Sequence, residues 1–87
     1  MGFQIYSVVE SAAGRDKGKL LAVMEIEAER ITVCDGKERP LERPKRKNPA
    51  HLINTGRTLT PEQTKTNRAL RKALAGFARS DGPKEEG

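Results

Sequence analysis

The sequence predicts a mainly β domain, a small barrel or sandwich, followed by one C-terminal α-helix. Three observations carry that expectation. Short β-prone runs separated by turn residues fill the first two-thirds of the chain, an Asp-Gly pair sits between two of them, and the apolar spacing changes to a helical period after Thr60. The apolar residues, from Phe3 and Ile5 through Val23 and Val33 to Leu52 and Ile53, concentrate before residue 55, so the core is expected there. A domain near the 60-residue scale buries only about 60 % of its unfolded surface, which limits its stability.

The elements follow in order. Ile5, Tyr6, Val8 and Val9 form a first β-prone run that ends at Ser11-Ala12-Ala13-Gly14. Gly14-Arg15-Asp16-Lys17-Gly18 reads as a turn segment. Lys19 to Ile26 is the strongest strand, with Leu21 and Val23 on one face and Leu20, Ala22, Met24 and Ile26 on the other, so cover on both sides is expected. Glu27-Ala28-Glu29 is a tight connection, and Arg30 to Cys34 alternates, with Ile31 and Val33 opposite Thr32 and Cys34. Asp35-Gly36 then predicts a two-residue hairpin turn with positive φ at both residues. Lys37 to Glu42 would be the returning strand, an edge because Pro40 cannot donate to a ladder. Lys45-Arg46-Lys47-Asn48, between Pro44 and Pro49, reads as an irregular loop, and His51 to Asn54 as a final short strand.

The C-terminal extension, residues 57–80, holds the helix, expected at about 61–78. Thr60 can cap, Pro61 suits the first position and Gln63 can complete a capping box. Leu70, Leu74 and Phe77, with Ala69 and Ala73, make an apolar stripe, and Lys65, Arg68, Arg71, Lys72 and Arg79 surround it. The stripe is expected to pack on its own barrel, since an isolated helix of this length is marginal in water. Residues 81–87 read as a disordered tail.

Charge narrows the function. The 87 residues carry a net +5, and the segment from Lys37 to Arg57, with seven basic and two acidic side chains, accounts for all of it. A localised basic stretch on a small domain is the signature of a polyanion partner, while the plainer reading is a solvated loop. Cys34, the only cysteine, excludes an internal disulfide and a CxxC metal site, and a small packing role is expected for it. No apolar run approaches the roughly 18 residues of a membrane span, and no signal-peptide pattern opens the sequence, so a cytoplasmic protein without membrane contact is expected. Catalysis is not expected: no nucleophile has an evident His and acid partner, no P-loop exists, and Glu25, Glu27 and Glu29 read as a solvent face. No cofactor and no metal are expected, because one histidine and one cysteine cannot assemble a site.

The stretch from Val8 to Val23 contains an apolar pair, then the basic Gly14-Arg15-Asp16-Lys17-Gly18-Lys19, then an apolar strand. It resembles the KOW motif of ribosomal proteins and transcription elongation factors, with Gly18 where that motif carries its hallmark glycine. Asp35-Gly36-Lys37, then Arg39-Pro40-Leu41-Glu42-Arg43-Pro44-Lys45-Arg46-Lys47-Asn48 and His51-Leu52, extend the likeness. Together they resemble a bacterial KOW-domain RNA-binding group related to archaeal and eukaryotic large-subunit ribosomal proteins. The resemblance covers roughly residues 5–54. It implies a five-stranded SH3-like β-barrel over residues 3–56 that binds RNA, ribosomal RNA above all, in a ribosomal or ribosome-associated protein of the translation machinery.

The residue chemistry agrees with that implication. Gly14 and Gly18 suit a tight loop that approaches a ligand, and Arg15, Lys17 and Lys19 could fan out from it toward phosphates. Asp16 is expected to bond loop amides. Lys37, Arg39, Arg43, Lys45, Arg46 and Lys47 supply the second basic surface, with Pro44 stiffening it. His51 could stack on a base or donate to a phosphate, against the plainer reading of a surface residue. Aromatics are scarce (Phe3, Tyr6 and Phe77), so recognition of folded RNA by shape and phosphate is expected rather than base readout. The expected state is a monomer when free, with ribosomal proteins as further neighbours. The alternatives are an SH3-like protein-interaction module and a transcription-elongation-type factor.

Overall fold

The computed structural model describes residues 3–80; the tail expected over 81–87 and the side chain of Arg79 lie outside the described residues. Five strands, β1 (Ser7–Ser11), β2 (Leu20–Ile26), β3 (Ile31–Cys34), β4 (Lys45–Lys47) and β5 (Leu52–Thr58), form one antiparallel sheet in the order β4-β3-β2-β1-β5. A helix, α1 (Asn67–Ser80), follows. No pairing joins β4 to β5 among the described residues, so the sheet is open.

The two outer strands are nonetheless neighbours in sequence. Only Asn48 to His51 separate β4 from β5, and Pro49–His51 is a 3-10 turn. A flat sheet would place these strands about 19 Å apart. A link this short, largely at about 2 Å per residue, cannot span that width, so the sheet must curl. Bulges help it do so. The β1–β5 register shifts between Val8, opposite Arg57, and Val9, opposite Asn54. Thr55 fills that gap and donates from Oγ1 to the Val8 carbonyl at 2.7 Å. The β2–β3 register shifts a second time, between Val23 and Glu25.

The curled sheet buries both faces, as the pattern of β2 predicts. Val9, Leu21, Val23, Ile31, Val33 and Leu52 pack together on one face, with Phe3 against them. Val8, Ala22 and Cys34 lie on the other, where Leu59, Leu70 and Leu74 cover them. The expected self-docking of the helix is therefore present. Arg57 adds to it, its guanidinium 5.3 Å from the centre of the Phe77 ring.

Several local expectations are corrected. The first strand begins at Ser7 because Tyr6 takes a left-handed conformation (φ 72). Its amide donates to the Val23 carbonyl at 2.6 Å, and its own carbonyl accepts from Leu59 at 2.8 Å. Asp35-Gly36 is not a two-residue hairpin. Gly36 has φ 80, but Asp35 does not adopt positive φ; its carboxylate instead accepts from the amides of Lys37 (2.8 Å) and Arg39 (2.9 Å). That wraps Lys37 to Glu42 into bends and turns in place of a strand. The strand that pairs with β3 is the basic run Lys45–Lys47 itself, in register Val33↔Lys45, Thr32↔Arg46 and Ile31↔Lys47. The final strand is longer than expected, reaching Thr58. The helix is in two pieces. The Thr60–Gln63 capping box exists, but it starts a 3-10 turn, Pro61–Thr64. The α-helical bonding begins afterwards, with Leu70 donating to the Thr66 carbonyl at 2.9 Å and Thr66 Oγ1 accepting from Ala69 at 3.0 Å.

Gly36 fixes the helix to the sheet. A Cβ at this position would collide with the Asn67 carbonyl oxygen, so the backbone of α1 lies directly on the loop after β3. Asn67 strengthens the seam: its Oδ1 accepts from the Leu41 amide at 2.7 Å and its Nδ2 donates to Glu42 Oε1 at 2.9 Å. Arg71 Nη1 donates to the Gly36 carbonyl at 3.1 Å. Gly18 also has positive φ (86), but nothing lies within 4 Å of the place its Cβ would take. Gly36→Ala is therefore expected to cost about 2–4 kcal/mol, combining left-handed strain with overpacking, and Gly18→Ala only about 1–2 kcal/mol. Urea unfolding of both variants checks this; equal losses would mean that the helix does not press on Gly36.

Candidate functional site

The Gly14–Lys19 loop is tied off by its own backbone. The Gly18 amide donates to the Ser11 carbonyl at 2.8 Å, and the Lys19 amide to the Asp16 carbonyl at 2.9 Å. Gly14 (φ 79) and Gly18 supply the left-handed residues that this turn needs. The closure turns Asp16 inward, where it is only 4 % exposed.

Asp16 is a junction between segments distant in sequence. Its Oδ2 accepts from Arg39 Nη2 at 3.2 Å and lies 4.0 Å from Lys47 Nζ. Sequence reasoning expected this carboxylate to bond loop amides; the curl of the sheet instead carries β4 up to it. Nearby, Lys19 Nζ meets Glu38 Oε1 at 2.6 Å in an exposed pair. The two predicted contact segments, Gly14–Lys19 and Lys37–His51, are thus brought together.

The predicted cations fall into two groups as a result. Lys19, Arg39 and Lys47 are engaged in ion pairs, and the Lys47 side chain is only 10 % exposed. Arg15, Lys17, Lys37, Arg43, Lys45 and Arg46 are exposed and form no ion pair among the described residues. Lys45 and Arg46 do not form one patch, because adjacent residues of a strand point to opposite faces. Lys45 shares the face of Val33, and Arg46 that of Thr32. His51 ends the 3-10 turn with its side chain exposed. Its carbonyl accepts from the Ala12 amide at 2.8 Å, which anchors the turn to the end of β1. Asp35 and Gly36 shape the loop that carries Lys37 and Arg39.

Sequence reasoning missed the part that the helix plays. Arg68, Arg71 and Lys72 line a groove with Lys37, beside the loop after β3. Their spacing of three and four residues, with no acidic residue between Asn67 and Ser80, was the available signal. Only the docking of α1 on Gly36 shows that they face Lys37.

Electrostatics follow these contacts. The hydrogen bond from Lys19 holds the Glu38 carboxyl below the ordinary 4.5, and the same bond raises Lys19 above 10.5. The bond from Asn67 lowers Glu42 in the same way. Burial, with Asp35 adding to it, pushes the Cys34 thiol up to about 11, in keeping with a packing role. Among the described residues no group of three or more His, Cys, Asp or Glu side chains could hold a metal, and no helix is long and apolar enough to cross a membrane. No protein-family model matches the chain, and no curated protein matches it significantly.

Two outcomes are expected. Asp16→Ala leaves Arg39 and Lys47 without their shared anion and should lower stability by about 3 kcal/mol, measured by urea unfolding; a loss below about 1 kcal/mol would deny the junction its role. In an NMR pH titration, Glu38 and Glu42 should titrate below 4.5. Because those folded values are depressed, what they add to stability is present above the unfolded pKa and disappears as pH falls through the folded one. Glu38→Gln should return Lys19 toward 10.5.

Proposed function

We propose that this chain is a non-catalytic RNA-binding protein of the translation machinery, built on an open SH3-like barrel of the KOW type and acting in the cytoplasm. The strand order β4-β3-β2-β1-β5, with β4 joined to β5 through a 3-10 turn, supports the barrel reading. The observation that carries the function is the division of the cations. Asp16 and Glu38 neutralise the three that hold the loops together, while Arg15, Lys17, Lys37, Arg43, Lys45 and Arg46 stay exposed around them. Exposed cations on a frame held by other ion pairs suit a phosphate backbone.

The aromatic residues argue for shape and phosphate over base reading. Phe3, Tyr6 and Phe77 are each partly buried and pack against the core, so they form no platform for bases. The protein-interaction alternative loses its main support, because Leu70, Leu74 and Phe77 are spent on the chain's own sheet.

Affinity for structured ribosomal RNA should fall steeply with salt. About six phosphate contacts give a slope of log K against log salt of roughly −4 to −5. In sucrose gradients of native lysate, the protein should travel with the large ribosomal subunit at low salt. It should leave the subunit at high salt, and also when Arg43, Lys45 and Arg46 become Ala. A flat salt dependence, or sedimentation only at the top at low salt, would contradict the proposal.

A further inference from the structure

The groove between α1 and the loop after β3 has a volume of about 490 Å³ and is lined by Lys37, Arg68, Arg71, Lys72 and Ala75. Four of those five residues are cationic and none is acidic. Such a cluster is unfavourable in isolation. Arg68 repels Arg71 and Lys72 along the helix face at spacings of three and four, and like-charge pairs at that spacing destabilise a helix by a few tenths of a kcal/mol each. Nothing within the described residues offsets this: Arg68, Lys72 and Lys37 form no ion pair, and Arg71 donates to the Gly36 carbonyl, a neutral acceptor. That bond draws its guanidinium toward the loop that carries Lys37. The docking of α1 on Gly36, which leaves no room for a Cβ, fixes the helix against the same loop.

We infer that this groove is a second phosphate-binding surface, and that α1 is an RNA-contacting element rather than only a cover for the sheet. The inference rests on the RNA-binding reading above and extends it to a place where the KOW resemblance does not reach. An RNA backbone is the occupant the chemistry favours. The lining offers cations and one methyl group but no aromatic face, so it can hold phosphates and cannot stack bases. Lys37 links the two surfaces, since the segment that places it in the groove continues through Arg39 and Arg43 to β4. A bound RNA is therefore gripped from the sheet edge and from the helix together, and its register depends on their fixed relation.

The test uses the full chain and an in vitro transcript of large-subunit ribosomal RNA, with binding measured between 50 and 200 mM salt. Arg68→Gln with Lys72→Gln removes two cations that have no partner in the fold. Losing two contacts should make the affinity drop across that salt range smaller by roughly tenfold than in the wild type. The charge-conserving pair Arg68→Lys with Lys72→Arg should keep the wild-type drop, and thermal unfolding by circular dichroism should be unchanged in both. If the Gln pair keeps the wild-type affinity and salt response while Arg43, Lys45 and Arg46→Ala weakens binding, the groove is not a phosphate site and the RNA reading survives. If the wild type binds no RNA at 50 mM salt, both fail. Binding to phosphatidylserine vesicles that this RNA does not displace would also overturn the inference, by giving the groove a different occupant.

Discussion

The structure depends on one constraint of chain length. Two strands at opposite edges of a five-stranded sheet are joined by Asn48 to His51, most of them in a 3-10 turn. The link can be made only if the sheet rolls up. Rolling encloses Val9, Leu21, Val23, Ile31, Val33 and Leu52 on the inner face. It also swings β4 toward the Gly14–Lys19 loop, so that Lys47 and Arg39 reach the same buried carboxylate of Asp16. The curl therefore makes the core and the charged junction at once.

The outer face is closed differently. Val8, Ala22 and Cys34 would be left in water without α1, and the helix reaches them through a close backbone approach at Gly36 as well as through Leu70 and Leu74. The seam at Asn67, Leu41 and Glu42 makes the loop after β3 part of the helix's docking site. Sheet, loop and helix behave as one rigid frame. Charges on any of them hold set positions relative to the others, which is what a shape-reading interface requires.

Much of this frame was legible in the sequence, and the failures share a cause. The two-sided burial of β2 followed from its continuous apolar run, and the helix stripe from its spacing. The hairpin at Asp35-Gly36 failed because Asp35 uses its carboxylate to fold the next residues into a turn, a competition that dipeptide preference does not register. The loop assigned to Lys45–Lys47 failed because a strand of charged residues has no apolar alternation; its pairing is imposed by β3 and by the short link to β5. Among the site residues, composition identified the basic segments. It could not tell the cations that hold the fold (Lys19, Arg39 and Lys47) from those left exposed, since that division is set by Asp16 and Glu38 across the curl.

β4 also meets a hazard common to all open sheets. An outermost strand offers unpaired amides and carbonyls on which a second chain can build. In this protein that strand is Lys-Arg-Lys, short and positively charged on both faces. A second copy approaching edge to edge would bring its own cations against these and be repelled. The residues best placed to attract a polyanion are thus the ones that keep two copies from zipping together. Substitutions that relieve the charge to weaken nucleic-acid affinity also remove the protection against self-association, so the two properties cannot be changed independently at this edge.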